Sequence, residues 1–183
     1  MLSFVEIAGQ IEKNLGPGIL TQRVEEGLHP WVGVPAERIA EVGQFVRDHA
    51  DIQLDMLRCV TGLDYPDKRL MCVAYDLLSF SHLHEFCIKV FVPRDTPDVP
   101  SVAGIWSAAD WHERECYDLF GIRFTGHPDS VTDKDGVEHP RRILLPEDWT
   151  GHPLRKDYAY PREYRGIPGS VEIDWAQKPN YPK

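Results

Sequence analysis

The stretch from Trp111 to Ile122, WHERECYDLFGI, brings together side chains that could transfer protons, bind a metal or form ion pairs. On a helix, at about 100° per residue, one arc of this stretch is apolar, and Glu115 falls within it. The apolar side chains of the arc are Trp111, Ala108, Leu119, Cys116, Ala109 and Phe120. An ionised carboxylate on a buried face is costly unless it is paired, so Glu115 predicts an arginine partner, with Arg141 and Arg142 as candidates. The alternative is a proton-handling carboxylate with a raised pKa.

Three other pairs in this stretch also allow chemistry. His112 and Cys116 lie four residues apart and could face one metal ion, but a single pair does not close a tetrahedral site. Arg114 and Asp118 have the spacing of an ion pair on a helix surface. Glu115 and His112 could form the acid–base pair of a stand-alone enzyme, although no cofactor motif accompanies them.

Several catalytic and cofactor-binding motifs are excluded by the sequence. Gly121 and Gly126 flank four residues, but His127 and Pro128 follow where a P-loop requires Lys and Ser or Thr. Neither a G-x-S-x-G elbow nor a G-x-G-x-x-G fingerprint occurs. A phosphate-binding or nucleophile-elbow enzyme is therefore not expected.

The cysteine and histidine patterns do not favour a metal site. The four cysteines stand singly, without a C-x-x-C pair, which predicts buried free thiols rather than a zinc or iron–sulfur site. His82, His84 and Glu85 could form a ligand cluster, but we interpret them as water-facing side chains at the end of a strand.

The reactive stretch is predicted to be a helix from about Ala108 to Phe120, with Ser107 as its N-cap and Gly121 as its stop. Another short helical segment is expected between this helix and the proline-rich loop at 93–100. Near the amino terminus, Ser3 and Glu6 have the spacing of a capping box and open an amphipathic helix that ends at Leu15.

The middle of the chain predicts a sheet. A second helix should begin at Pro35, after a short extended piece at 31–34. Three β-favouring segments then follow at 54–63, 69–79 and 85–92 and predict an antiparallel meander. Helices that precede such a meander cover one of its faces. We therefore expect an α+β two-layer sandwich of helices on a mixed, mainly antiparallel sheet.

Composition limits the class of protein further. The chain has 183 residues and a formal net charge of −9, with 42% hydrophobic residues. One domain with an extension fits this length, and no apolar run approaches the ~20 residues of a membrane-spanning helix. A phosphate backbone would be repelled, so nucleic acid is not an expected partner. The first twenty residues show neither a secretory signal nor a transit peptide.

The composition changes after Gly121. Residues 140–183 contain seven of the fifteen prolines and six of the nineteen aromatic residues, which excludes regular helix over most of the segment. Apolar side chains at this density need a surface to cover them. We therefore predict a compact domain over 1–122 and, over 123–183, an extended arm that wraps over another protein. Six basic against four acidic residues at 141–166 favour an acidic partner surface.

Four ordered motifs carry a family resemblance. They are WHERECYDLFGI at 111–122, GHPD at 126–129, RRILLP at 141–146 and GHPLRKDY at 151–158. Together they resemble the C subunit of bacterial NADH:quinone oxidoreductase, respiratory complex I, whose relatives include the mitochondrial iron–sulfur protein 3 subunit and a chloroplast NDH subunit. The resemblance is strong over about 105–160.

The resemblance implies a non-catalytic structural subunit of the hydrophilic arm of the complex. Such a subunit holds no flavin or iron–sulfur cluster, because FMN and the clusters belong to other subunits. It would dock on the large quinone-module subunit, of the D-subunit type, beside iron–sulfur subunits, at the cytoplasmic face of the bacterial inner membrane. Contact with the membrane would be through the complex alone. The motif and interface residues that the resemblance implies are Glu113, Arg114, Glu115, Asp118, Gly121, His127, Arg141, Arg142, Trp149, Arg155, Lys156, Asp157 and Tyr158.

Two points distinguish this sequence within the resemblance. An insertion at about 130–140 separates GHPD from RRILLP, and it is interpreted as a surface hairpin or loop. His127 and His139 are both candidates for the family's histidine position. The equivalent subunit of a membrane-bound hydrogenase or a ferredoxin-dependent quinone reductase is an alternative. Truncation before Ile143 is predicted to leave a folded chain that cannot join its complex.

Overall fold

A five-stranded mixed sheet forms the centre of the computed structural model, which describes residues 1–134 and 136–168. Its strands are β1 (Gln22–Val24), β2 (Trp31–Gly33), β3 (Met56–Tyr65), β4 (Leu70–Leu78) and β5 (Glu85–Pro93). They lie in the order β1-β2-β5-β4-β3. The predicted meander of β3, β4 and β5 is confirmed as antiparallel, whereas β2 pairs in parallel with β5.

Three helices are described: α1 (Phe4–Leu15), α2 (Ile39–Asp48) and α3 (Ala109–Phe120). The capping box of α1 is confirmed, since the Ser3 hydroxyl accepts from the Glu6 backbone while the Glu6 carboxylate accepts from the Ser3 backbone. A 3-10 turn at Ala36–Arg38 separates Pro35 from α2. The predicted Ser107 cap of α3 is wrong, because no side chain caps its first turn.

The core lies between the helices and one face of the sheet. Alternating residues of β4, such as Val73, Tyr75 and Leu77, are buried there in one cluster with the apolar stripes of α1 and α2. The predicted α+β fold class is confirmed. The helical segment expected between 100 and 107 is wrong: this stretch forms turns, and the Trp106 indole donates to the Leu54 carbonyl at 2.9 Å.

Smaller strand pairs follow the main sheet. Strand β6 (Asp98–Pro100) pairs in parallel with β7 (Arg123–Thr125), so part of the predicted loop at 93–100 is a strand. The insertion is confirmed as a hairpin of β8 (Ser130–Thr132) and β9 (Glu138–Pro140). A last hairpin joins β10 (Glu163–Tyr164) and β11 (Ile167–Pro168). In the described part of the chain, no helix is both long and apolar enough to cross a membrane.

Two expectations about titratable side chains can be compared with the fold. Cys72, Cys87 and Cys116 are buried free thiols as predicted, and Cys59 is partly exposed. His84 does not face water: its ring accepts from the Leu2 backbone at 3.1 Å and lies 2.6 Å from the Ile52 carbonyl. It therefore holds the amino terminus to the core rather than forming a metal site.

Candidate interface at the motif helix and the arm

The orientation of helix α3 differs from the one expected from its apolar arc. Trp111 is 63% exposed and Glu115 is exposed, whereas Glu113 and Asp118 are fully buried. The side chain of Phe120 lies over Gly62 of β3, where a Cβ would come within 2.7 Å of the ring. Half of the predicted arc is confirmed, since Ala109, Cys116 and Phe120 face the core. The inward positions of Trp111 and Glu115 were wrong, and Glu113 and Asp118 are buried instead.

Asp118 is the buried carboxylate that receives the arm. One oxygen accepts from the backbone N–H groups of Ile143, Leu144 and Leu145 at 3.1, 2.7 and 2.9 Å. The other accepts from Arg142 at 2.7 Å. Burial alone would raise the pKa of Asp118, but these four hydrogen bonds outweigh it and lower the pKa. The RRILLP motif is thus bound through residues 142–145 to the ionised side chain of Asp118 on α3.

Ion pairs join α3 to the segments that follow it, as predicted, but the residues that form them differ from those predicted. Arg142 serves Asp118 rather than Glu115, and its guanidinium also donates to the Gly151 carbonyl at 3.1 Å. Arg114 pairs with Asp129 at 3.3 Å, so the predicted pair of Arg114 with Asp118 is wrong. Arg141 pairs with Asp129 at 3.3 Å as well. The idea that a buried carboxylate of this helix has an arm arginine as partner holds, at Asp118 and not at Glu115.

Gly121 allows the arm to pass close to the end of α3. Its φ is +74°, and a Cβ there would lie 2.6 Å from His152 Nε2 and 2.8 Å from Arg155. Arg155 donates to the Phe120 carbonyl at 2.6 Å, and the His152 ring lies 3.0 Å from the Asp118 carbonyl. Burial lowers the pKa of His152 to about 4. These groups occupy the free carbonyls at the helix end.

The sequence reasoning missed a second anchor of the arm, on strand β3. Asp64 and Asp157 are bridged by Arg94, at 2.7 Å and 2.5 Å. The Lys156 backbone N–H also donates to Asp64 at 2.9 Å. Hydrogen bonds from Arg94 lower the pKa of both carboxylates. The available signal was Asp64 itself, a carboxylate at an inward position of an alternating strand.

Aromatic contacts close the arm on itself. The Tyr158 hydroxyl donates to the Thr150 carbonyl at 3.0 Å, and its ring meets Tyr160 edge-on at 5.0 Å between centroids. Trp149 contacts Tyr164 at 5.2 Å. Tyr164 in turn donates to Asp148 at 2.6 Å. The arm is thus bonded to its own domain up to Asp157, and the residues that follow contact earlier parts of the arm.

The second buried carboxylate of α3, Glu113, binds the turn that precedes the helix. It accepts from the Ser101 hydroxyl at 2.6 Å and from the Val102 N–H at 2.7 Å. Burial raises its pKa to about 7, against the opposing effect of these hydrogen bonds. His127 lies nearby and accepts from the Asp129 N–H through Nδ1, so its proton sits on Nε2, 3.1 Å from the Asp110 carbonyl. This cluster ties GHPD to α3.

The other candidate for the family histidine, His139, has a different environment. Its ring stacks on Tyr117 at 4.4 Å between centroids, on the side of α3 that the insertion hairpin covers. His112 and Cys116 do not converge on a metal site, because Cys116 is directed at the Val60 carbonyl of β3. Within residues 1–134 and 136–168, no group of three or more His, Cys, Asp or Glu side chains is arranged to hold a metal ion.

Apolar side chains on this part of the surface lack cover. In the described residues, five of the eleven exposed large apolar side chains belong to α3 or the arm: Trp111, Leu144, Leu154, Tyr160 and Ile167. Leu144 is 60% exposed although its backbone N–H is fixed on Asp118. The polar groups of the arm thus bind its own domain and leave apolar groups facing outward.

Comparison with known proteins places these features in a family context. A family model described as the 30-kDa subunit of respiratory-chain NADH dehydrogenase matches residues 32–164. The chain is 37% identical over 172 residues to the C subunit of NADH-quinone oxidoreductase from Mycolicibacterium gilvum, a match that covers 89% of this chain and 72% of that one. It is 40% identical to the protein of the same name from Roseiflexus sp., with 81% and 80% covered.

A third relative is longer than this chain. The C subunit of NADH-quinone oxidoreductase from Chloroherpeton thalassium is 47% identical over 124 residues, and the match spans 67% of this chain and 47% of the relative. Among solved structures, the trypsin-resistant fragment 1–134 of Nqo5 is 33% identical with a TM-score of 0.56, and 69% of this chain and 99% of the fragment are covered. A chain of the archaeal membrane-bound sulfane sulfur reductase shares the fold, with a TM-score of 0.57, 22% identity, and 72% and 78% covered.

Proposed function

Because the chain belongs to the family of the 30-kDa subunit of respiratory-chain NADH dehydrogenase, which confirms the resemblance seen in its motifs, we propose that it is a structural subunit of the hydrophilic arm of complex I. In this role it carries no redox group of its own and docks on the large quinone-module subunit. It lies on the cytoplasmic face of the bacterial inner membrane and meets the membrane through the complex. The compact part at 1–122 and the arm at 123–183 have separate tasks in this proposal.

One observation carries the docking proposal: the arm is fixed by its polar groups and offers its apolar groups. Asp118 and Asp64 hold the arm backbone, while Leu144, Leu154 and Tyr160 are 60%, 46% and 67% exposed. Large apolar groups rimmed by polar ones are typical of protein interfaces. A preformed arm also binds at a lower entropic cost than a segment that must fold on its partner.

The basic residues of the arm are less available to attract an acidic partner than the composition of the arm suggested. Arg141, Arg142 and Arg165 pair with carboxylates of this chain, at 3.3, 2.7 and 2.9 Å. These arginines are therefore used to position the arm. The contact with the partner is proposed to be mainly apolar, with charge at its rim.

The NADH-linked complex is preferred to a hydrogenase-type assembly. The relatives at 37–47% identity are named as C subunits of NADH-quinone oxidoreductase, whereas the likeness to the sulfane sulfur reductase, at 22% identity, concerns the fold alone. A flavin-containing NADH-oxidising subunit among the co-purified chains would agree with this choice.

The test replaces exposed arm side chains without touching the anchors. Leu144→Ser and Leu154→Ser, alone and combined, should fold normally, because both side chains point outward. After expression in cells, the assembly purified from solubilised membranes should contain about tenfold less of the double variant than of the unchanged chain. The large quinone-module subunit should be depleted to the same extent when the tagged double variant is purified. Leu28→Ser, at a 94% exposed position outside the arm, is the matched control. Full recovery of the double variant with the large subunit would refute docking through the arm.

A further inference from the structure

The main sheet has a second face that the described helices leave open. Strand register places Tyr65, Cys72, Phe91 and Trp31 on the side opposite to the core. All three helices contact the other side: Phe4 of α1 stacks on Phe86, Val42 and Val46 of α2 belong to the core, and α3 lies over Gly62. We call this second side the outer face.

The outer face is more apolar than a solvent-facing sheet surface. Strand β4 has the sequence LMCVAYDLL, in which apolar residues do not alternate with polar ones. Such near-continuous apolar strands are typical of sheets covered on both sides. Cys72 at the centre of this face is already fully buried by its neighbours. A cover on the outer face would complete the three-layer arrangement that this strand sequence suits.

Three aromatic rings form the centre of the outer face. Phe91 lies between Trp31 and Tyr65, with ring centroids 5.8 Å and 6.4 Å apart. A lysine ammonium lies over each of the two flanking rings: Lys89 Nζ is 4.4 Å from the centroid of Trp31, and Lys68 Nζ is 5.7 Å from the centroid of Tyr65. Aromatic residues are enriched at protein interfaces, and a lysine held over a ring face is attracted to it.

The charges of this face identify the chemistry of its partner. In the described residues, Lys68 and Lys89 make no ion pair, whereas Glu85 on the same face is paired with Arg58 at 2.9 Å. Asp76 also lies on this face, opposite Cys87 in the register of β4 and β5. The aromatic part is therefore cationic and apolar together. A complementary surface would be apolar with carboxylates at its edge.

We propose that the outer face is a second docking surface, which binds an amphipathic helix of another subunit through its aliphatic stripe and through acidic side chains that reach Lys68 and Lys89. In layered folds that combine helices and sheets, helices are the elements that cover the apolar sheet faces. A second copy of this chain fits less well, because each copy carries a net charge of −9 and would bring its own Lys68 and Lys89 against the same two lysines. This chain thus meets one neighbour through the arm and another through the sheet.

Zero-length carbodiimide cross-linking of the assembly purified from solubilised membranes tests the proposal, because it joins lysines only to carboxylates in contact. Mass spectrometry should find Lys89 or Lys68 joined to an Asp or Glu of a different subunit, within a segment whose apolar residues recur every three or four positions. Links only to this chain's own sequence, including a second copy, would overturn the proposal. The absence of any link, together with equal acetylation of Lys89 in the isolated chain and the assembly, would also overturn it.

A variant pair separates docking from folding. Lys89→Glu reverses a charge on the outer face, and Lys13→Glu reverses one on the exposed side of α1. Both should keep the thermal midpoint of the isolated chain, but Lys89→Glu should be recovered in the assembly about tenfold less than Lys13→Glu. Equal recovery would refute the outer face as an interface. The arm variants change neither lysine, so the two docking proposals can fail separately.

Discussion

Replacing Asp118 with Asn should release the arm without unfolding the domain. The carboxylate accepts three backbone N–H groups and one guanidinium N–H, all between 2.7 and 3.1 Å. Hydrogen bonds to a charged group contribute about 1 kcal/mol more each than neutral ones, so the three backbone N–H bonds that the Asn amide oxygen can still accept together lose about 3 kcal/mol once the charge is removed. The amide nitrogen also cannot accept, so one of the four donors is left without a partner. A loss of about 3 kcal/mol raises the population of the open arm roughly a hundredfold.

Amide hydrogen exchange of the isolated chain measures this population directly. The amides of Ile143, Leu144 and Leu145 should exchange about a hundredfold faster in Asp118→Asn, while amides of β4 keep their protection. Asp148→Asn is the control, because Asp148 is an exposed arm carboxylate that binds only Tyr164 and Arg165 in the described structure. Unchanged exchange at 143–145 would refute the role of Asp118 as the anchor. A uniform increase over the whole chain would show instead that Asp118 stabilises the domain and not the arm.

The same contacts give three further predictions. The pKa of Glu113 is about 7 in the folded chain and 4.5 for the free side chain, so between these pH values the folded chain holds a proton that the unfolded chain releases. The free energy of unfolding should therefore fall by up to about 3 kcal/mol as the pH rises from 4.5 to 7. In urea titrations, Glu113→Gln should flatten this pH dependence. In thermal melts, Gly121→Ala should destabilise the chain by about 2 kcal/mol or more, because this position combines a positive φ with contacts under 3 Å. The control Gly126→Ala has the same φ of +74° but open space around it, and should destabilise the chain by about 1 kcal/mol. Equal effects of the two variants would contradict a close contact of the arm with Gly121. Arg94→Gln removes the bridge between Asp64 and Asp157, so limited trypsin digestion should cut after Lys156 several times faster than in the unchanged chain, and an unchanged rate would exclude this second anchor.

Local patterns were sufficient to predict the main elements. The capping box of α1, the meander and the stop of α3 at Gly121 depend on residues close in sequence, and each is confirmed. The polar insertion with its Asp-Gly pair was interpreted as a surface hairpin or loop, and the structure shows the hairpin. The short strand β1 was missed, since its three residues carry no turn signal or alternation that separates them from a loop.

The orientation of α3 could not be predicted from its own residues. A helical wheel counts apolar side chains, and it placed Trp111 and Glu115 inward. Glu113 and Asp118 are buried instead because their partners, such as Val102 and Leu144, come from segments on either side of the helix. A carboxylate that receives several backbone N–H groups can replace an apolar residue in the core.

The path of the arm was also beyond local reasoning. Its proline and aromatic content indicated an extended segment that needs a surface, but Asp64 lies 92 positions before the Lys156 amide that it binds. A partner was expected to supply that surface, whereas part of it belongs to the chain's own domain. The outward, apolar side of the arm stays exposed in the described chain, and this is the side that we propose for docking.

Hydroxyl-radical footprinting of the isolated chain and of the assembled complex tests the docking of the arm most directly. Trp111, Leu144, Leu154 and Tyr160 should be oxidised readily in the isolated chain, where all four are exposed, and should be protected by about tenfold or more in the complex. Leu28 provides the internal reference, since its oxidation should be the same in both states. Equal oxidation of the four arm and helix residues in both states would contradict the claim that this surface is where the chain binds its neighbour.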